Sequence, residues 1–442
     1  MLRTFKIGGI HPCDNKLSKS SSIEVFPLPA KVVIPLSQHI GAPASPVVAK
    51  GDKVKVGTLI ATAAGFVSSN IHSSVSGTVA AVDMVPDTAG IRKMSVTINV
   101  GGDEWEESID RSDILVKECN LSSKEIIDKI AAAGIVGMGG ATFPTQVKLS
   151  VPPGKKAEYL IINGVECEPY LTSDHRVMLE KAEQVMVGVD ILCKALDVKK
   201  AYIGIENNKP DAIAHMSKVA AAYPHITVVP LKVQYPQGGE KQLIDAVINR
   251  QVPSGGLPID VGAVVQNVGT ALAVYEAVQK NKPLFERVVT VTGKNLPTPK
   301  NFLVRIGTPV SALLAQCGGV PENTGKIING GPMMGRAIAN IEGTITKGSS
   351  GILTMEEKEA VRGEESPCIR CSKCVSVCPM GLEPYLLCVM SKKGLFAEME
   401  EHKPTDCIEC GSCAYTCPAH IPLLDFIRIG KGEVMKIIRS RK

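Results

Sequence analysis

Two short cysteine runs carry the most explicit chemistry in this sequence. Cys368, Cys371, Cys374 and Cys378 are spaced by two, two and three residues and followed by Pro379. Cys407, Cys410, Cys413 and Cys417, followed by Pro418, repeat that spacing. Three thiolates two residues apart can wrap one corner of a [4Fe–4S] cube, and the fourth, pinned by proline, faces away and ligates another cube. The expected sets are therefore Cys368, Cys371 and Cys374 with Cys417, and Cys407, Cys410 and Cys413 with Cys378. Zinc ribbons use two CxxC pairs and do not need a third cysteine at the same spacing. Disulfides belong to small secreted frameworks rather than to a chain of 442 residues that reads as lacking an export signal.

A second chemical stretch is glycine-rich. Gly137, Gly139 and Gly140 precede Phe143-Pro144-Thr145, and Lys148 follows one helical turn later. Glycines let backbone approach a bulky anion, and proline suits the first turn of a helix whose free N–H groups attract phosphate. Taken alone, such a loop reads equally well as a tight turn.

Positioning these groups requires a scaffold. From Ser122 the apolar residues Ile126, Ile127 and Ile130 mark one helix face, ending at Gly134. Strands are then expected at Tyr159–Ile162, Ala201–Ile205 and Ile226–Val229. Helices are expected at Asp174–Leu196, 210–222, Leu243–Ile248 and, opening at Gln266–Thr270, Ala271–Val278. This βαβαβ order predicts a mostly parallel sheet that binds ligands beyond its strand ends. The residues there are polar: Asn163, Glu166, Cys167 and Glu168 after the first strand, Glu206 to Lys209 after the second, and Asn267 and Thr270 further on. Glu166 and Glu168 also read simply as solvated strand-end residues.

Upstream, short strands and turns over residues 1–115 include Gly51–Gly57, Leu59–Ala61 and His72–Val79. They resemble the barrel-sandwich fold of lipoyl carriers. The tip, Ser68 to Ser74, has no lysine to carry a swinging cofactor, so a docking module is expected and His72 reads as a turn residue.

Length suggests about three domains. Hydrophobic residues make up 44% and charged residues 21% of the chain, enough for an ordinary core. A net charge of +5 gives no support to nucleic-acid binding. No run of about 18 apolar residues predicts a membrane span. Nine of the 14 cysteines fall within Cys368–Cys417, so cysteine usage is metal-directed and a reducing cytoplasm is expected. Most of Cys13, Cys119, Cys167, Cys193 and Cys317, together with Cys388, read as small buried hydrophobes.

The glycine loop with Lys148, the Asn163–Pro169 turn and the Gln266–Thr270 helix start resemble, in that order, the flavin- and NADH-binding subunit of respiratory complex I. The ferredoxin runs and the sandwich are instead similar to its relatives, the C subunits of Rnf complexes, which are membrane ferredoxin:NAD+ oxidoreductases. Val288 to about Ala339 resembles the small β-grasp-like domain that follows the flavin domain in both families. The resemblance implies a multidomain α/β chain. Its expected parts are a barrel-sandwich domain (1–115), a parallel-sheet FMN/NADH domain (116–285), a β-grasp-like domain (286–345) and an α-helical two-cluster ferredoxin domain (346–442).

It further implies that Gly137, Gly139, Gly140 and Lys148 hold the phosphate side of FMN, and that Asn163, Glu166, Cys167, Glu168, Asn267 and Thr270 line its pocket. NAD(H) is the implied hydride partner, and two [4Fe–4S] clusters the implied wire. The implied partners are integral membrane subunits, a ferredoxin-type subunit and ferredoxin itself, at the cytoplasmic face of a bacterial inner membrane, with Na+ or H+ moved by those partners. A docking subunit with clusters but no working flavin site is the alternative. Gly351–Pro367 reads as a charged connection, Leu382–Glu401 as one helix, and Lys431–Lys442 as a solvated basic tail.

Overall fold

Tyr159–Asn163 is apolar on both faces, as an inner parallel strand must be. In the computed structural model, which describes residues 2–441, it pairs in parallel with Ala201–Glu206 on one side and Ala263–Asn267 on the other. Ile226–Leu231 completes a four-stranded sheet beyond Ala201–Glu206. The strand Ala263–Asn267, which local sequence pattern does not announce, lies beside the first strand, so the connection reverses direction between them. That is the switch point at which open sheets form a binding crevice, and Asn163 and Asn267 stand there as register partners.

The long helix expected over Asp174–Leu196 is two helices, Ser173–Glu180 and Ala182–Leu196, divided at Lys181, whose ψ of 26° leaves the helical range. The break lets the first piece pack on Pro210–Ala220 while the second lies along Val268–Lys280. Gly188 permits that close crossing, since a Cβ there would sit 1.9 Å from the Ala271 carbonyl oxygen.

Residues 31–102 form the sandwich from a four-stranded sheet (Lys31–Pro35, Arg92–Gly102, Ser76–Pro86, Lys53–Val54) and a three-stranded one (Ser45–Pro46, Leu59–Thr62, Ile71–His72). Val32, Ile34, Ile60, Val75 and Ile98 fill the space between them. His72 is a buried strand residue, not a turn residue.

The small domain is a six-stranded sheet. It includes Gly351–Glu356, a stretch expected to be part of a charged connection. The strand is apolar at Ile352 and Leu353, and its acidic residues begin only at its end.

In the ferredoxin domain, Gly394 ends helix Pro384–Lys393 in the left-handed conformation, and Phe396–Glu401 follows. The basic C-terminus is not a tail. Ile427, Gly430 and Val434 continue a helical stripe under the charges, and Leu423–Ser440 packs on both preceding helices.

Residues 2–25 leave the expected first domain and run as a strap across the others. Arg3 bridges Leu231 on the edge of the parallel sheet, and Ile10 pairs with Tyr235. Gly9 N–H donates to the Val377 carbonyl (2.9 Å) beside a cluster cysteine. Ile23–Val25 then adds the outermost strand of the six-stranded sheet. Residues 2–25 thus lie outside the sandwich, and the six-stranded sheet runs past the expected boundary at 345 to Glu356.

Candidate functional site

The crevice at the switch point is built from four segments. The glycine loop covers the strand ends: the Met138 N–H donates to Thr270 Oγ1 (2.9 Å), and Gly139 packs against the Asn267 side chain. A Cβ at Gly140 would meet nothing within 4 Å, so this face of the loop is open. Asn267 caps helix Val268–Lys280 through the Gly269 N–H and donates to Asp174 (2.7 Å). Asn163 donates to the Gly238 carbonyl (2.8 Å). The helix after Pro144 spans only Thr145–Leu149, too short for the phosphate-binding dipole the sequence suggests. Lys148 donates to Glu240 (2.7 Å) and to the Val265 carbonyl (3.1 Å), so an incoming phosphate would compete with Glu240 for its ammonium.

The fourth segment, Tyr235-Pro236-Gln237-Gly238-Gly239-Glu240, is not among the sequence-derived candidates. Its signal was available: a Gly-Gly pair between a strand and a helix is the same βα-turn pattern as the loop at Gly137. The structure packs Gly238 against Cys167 and Asn163. Buried, unpartnered donors in this region, Gln237 Nε2 and Gln266 Nε2, fit a site that receives a polar ligand.

The Asn163–Leu171 turn uses its polar residues unevenly. Glu166 accepts from the Asp174 and His175 amides (2.7 and 3.2 Å), capping helix Ser173–Glu180 from outside it. Thr270, expected in the pocket wall, holds the glycine loop. Cys167 accepts from the Gly238 N–H at 3.4 Å, and burial pushes its thiol far up. Glu168 accepts from the Met333 and Met334 amides (3.1 and 2.8 Å), yet burial still raises its pKa to about 7. Two further lysines, Lys16 and Lys209, donate to carbonyls of this turn. An arginine also reaches the glycine loop from elsewhere: buried Arg287 donates to the Met138 carbonyl.

The two cysteine runs fold alike. Arg370 and Ser372 in the first, and Glu409 and Gly411 in the second, flank the middle cysteine in left-handed conformation. Gly381 and His420, three residues past the last cysteine of each run, are left-handed as well. A small hollow is lined by Cys378, Cys407, Cys410 and Cys413, with Leu382, Leu387, Leu424 and Ile427 around them. It gathers three thiols of the second run and the fourth of the first. Amides of Leu382 and Glu409 donate to the Cys378 and Cys407 sulfurs, both at 3.4 Å. Such donors stabilise thiolate ligands. On the other side, burial raises the Cys374 thiol, and Cys417 is near enough to add to it. Cys368 and Cys371 are exposed, and Cys388 is buried as expected. Of the five scattered cysteines, only Cys193 and Cys317 are fully buried, while Cys13 is exposed.

Two hydrogen bonds join crevice and clusters. The Tyr235 hydroxyl donates to the Cys410 carbonyl at 2.8 Å, and Gln242 donates to the Pro379 carbonyl at 3.1 Å. The hollow ringed by Cys410 therefore abuts the crevice wall, and the set containing Cys368 and Cys371 lies outside it.

The class defined by this arrangement is an iron–sulfur flavoprotein. The Nuo51 FMN-binding domain matches residues 130–276, the RnfC barrel sandwich hybrid domain 4–103, the SLBB domain 288–337 and the 4Fe-4S dicluster domain 360–418. The chain is 51% identical to the C subunit of the proton-translocating ferredoxin:NAD(+) oxidoreductase complex of Clostridium ljungdahlii, over 98% of this chain and 94% of that protein. It is 44% identical to the C subunit of the Na(+)-translocating complex of Acetobacterium woodii, over 98% and 97%. An NAD+-reducing [NiFe]-hydrogenase structure is similar at 15% identity and a TM-score of 0.48, covering 72% of this chain and 61% of that one. The chain belongs to the family of C subunits of ion-translocating ferredoxin:NAD+ oxidoreductase complexes.

Proposed function

We propose that this chain is the peripheral subunit at which NAD(H) exchanges electrons with the cluster chain of a membrane-bound, ion-translocating ferredoxin:NAD+ oxidoreductase. FMN, when bound, supplies the conversion between two-electron hydride chemistry and one-electron clusters. Gly137, Gly139, Gly140 and Lys148 would hold its phosphate side, and Asn163, Cys167, Asn267 and Gly238 would shape the pocket, with Glu166 and Thr270 fixing the wall behind. The Cys378, Cys407, Cys410 and Cys413 set is then the flavin-proximal cluster. The Cys368, Cys371, Cys374 and Cys417 set is the outer one, facing the redox partner.

The observation that carries this order is the segment Tyr235–Glu240, which touches Cys410 at one end and Asn163 and Cys167 at the other. No helix among the described residues is long and apolar enough to cross a membrane. Ion movement therefore falls to integral membrane subunits, with a ferredoxin-type subunit as electron partner and the cytoplasmic face of the inner membrane as the site of attachment. The two relatives translocate different ions, so similarity does not select between Na+ and H+.

The test is anaerobic. Protein reconstituted with FMN and iron should bleach in the flavin band and then in the cluster band when NADH is added. Cys371→Ala should keep NADH reduction of the flavin and the inner cluster but lose transfer to an external acceptor. Cys410→Ala should stop reduction at the flavin. Iron without flavin uptake would favour the clusters-only docking role. Outer-cluster reduction that survives Cys410→Ala would reverse the order.

A further inference from the structure

The turn between Asn163 and Leu171 is strained and yet tightly held. Glu166 and Tyr170 both lie in the left-handed region, at φ 46° and 71°, where a side chain crowds its own backbone. Part of what holds the turn comes from outside the FMN-binding domain match. Lys16, on the N-terminal strap, sends its ammonium to three carbonyls of the turn: Glu166 at 2.8 Å, Glu168 at 2.9 Å and Leu171 at 2.6 Å. Lys209, fully buried at the start of helix Pro210–Ala220, donates to the Val165 carbonyl at 2.7 Å, with buried Glu206 at 3.8 Å. Four carbonyls of one short turn are thus drawn toward two ammonium groups. Nothing in the strap's own fold requires this. Lys19 on the same strap is exposed, whereas the hydrogen bonds of the Lys16 ammonium all go to carbonyls; burial pulls its pKa down to about 8, the Lys209 charge adding to the effect and Glu166 and Glu206 opposing it.

We propose that Lys16 and Lys209 form a two-ammonium clamp that positions the Asn163–Leu171 turn, and with it Cys167 and Glu168, between the flavin pocket and the Cys410 cluster. The clamp makes the N-terminal strap part of the redox site. Each ammonium, set against Glu166 and Glu206, also contributes positive charge behind the pocket wall that favours the electron-rich form of a flavin held there. This inference rests on the flavin-pocket reading above. Lys16 and Lys209 are positioning residues: they touch neither reacting atoms nor cluster sulfur.

The experiment compares wild type with Lys16→Gln, Lys209→Gln and, as a surface control, Lys19→Gln, all as the full chain with clusters reconstituted. FMN affinity is measured by titration, the bound flavin's potential by anaerobic redox titration, and turn mobility by amide hydrogen exchange over residues 163–171. Loss of a charge-assisted contact predicts FMN binding weakened about tenfold or more, a lower flavin potential, and faster exchange confined to the turn. Lys19→Gln should match wild type, and iron content should be unchanged in all. The two clamp lysines sit on different elements, so if one variant fails to fold the other decides. Unchanged FMN affinity and unchanged exchange in a folded variant would overturn the clamp. If wild type takes up no FMN, the pocket reading fails, and the exchange arm alone still decides whether the clamp exists.

Discussion

Lys148 occupies an unusual position for a phosphate ligand, because its ammonium already has a carboxylate partner. Glu240 lies 2.7 Å away, and both side chains are part-exposed, so the pair is worth only about 1 kcal/mol or less. A phosphate oxyanion can displace it at small cost. Lys148→Met is expected to weaken FMN binding about tenfold or more while leaving both clusters intact, read by flavin titration against iron content.

His72 gives a second expectation at this scale. Burial, then the Lys347 charge, lower its pKa to about 3, and its Nδ1 has no partner. A base whose folded pKa is depressed binds its proton more readily when unfolded, so stability falls as pH drops from about 6.5 toward 3. The full window corresponds to as much as about 5 kcal/mol. His72→Gln should move acid unfolding to lower pH, followed by fluorescence of Trp105, the chain's single tryptophan. An unchanged midpoint would contradict the assignment.

At the scale of elements, a tight constraint is the crossing of Ala182–Leu196 over Val268–Lys280. Gly188 lies in a helix interior, where alanine is normally favoured by roughly 1 kcal/mol. Here the added methyl would strike the Ala271 backbone. Gly188→Ala is therefore expected to destabilise the flavin domain by about 1–3 kcal/mol, the usual cost of overpacking, measured by denaturant unfolding. A stabilised variant would mean the helices are free to part.

The same elements show what a sequence discloses. The cysteine spacing, the three apolar strands and the glycine loop were legible because each is a local pattern. The strand Ala263–Asn267 was not, since its polar end Gln266-Asn267 reads as a helix start and only the sheet reveals the pairing with Tyr159–Asn163. Glu166 and Thr270 were assigned to the pocket by their place in a motif, but their direction depends on the partners they find, the amides at Asp174 and His175 and the Met138 N–H. Lys16 lies about 150 residues before the turn it holds, with no local pattern to mark it. The C-terminal helix was hidden by its charges, although Ile427, Gly430 and Val434 keep helical spacing beneath them.

At the scale of the whole molecule, the strap ties three units together. Gly8 lies so close to Cys378 that a Cβ would sit 2.6 Å from its backbone, and Gln234 donates to the Gly8 carbonyl at 2.8 Å. Ser18 and Ser21 carbonyls accept from buried Asn301 in the six-stranded sheet. Removing residues 2–12 should therefore open the Cys378 side of the inner hollow, with preferential loss of that cluster. Iron content and EPR of the reduced protein would show one signal lost and the outer one kept. Equal retention of both would show that the strap is dispensable for the inner cube.

The strap also constrains how the protein is made. Gly9 is synthesised well before Val377, its partner beside the inner cluster. The early segment must stay undocked until the ferredoxin domain exists. Maturation of the iron centre and closure of the polypeptide around it then become one event, and a chain that never receives its iron would keep the strap free for proteases to find.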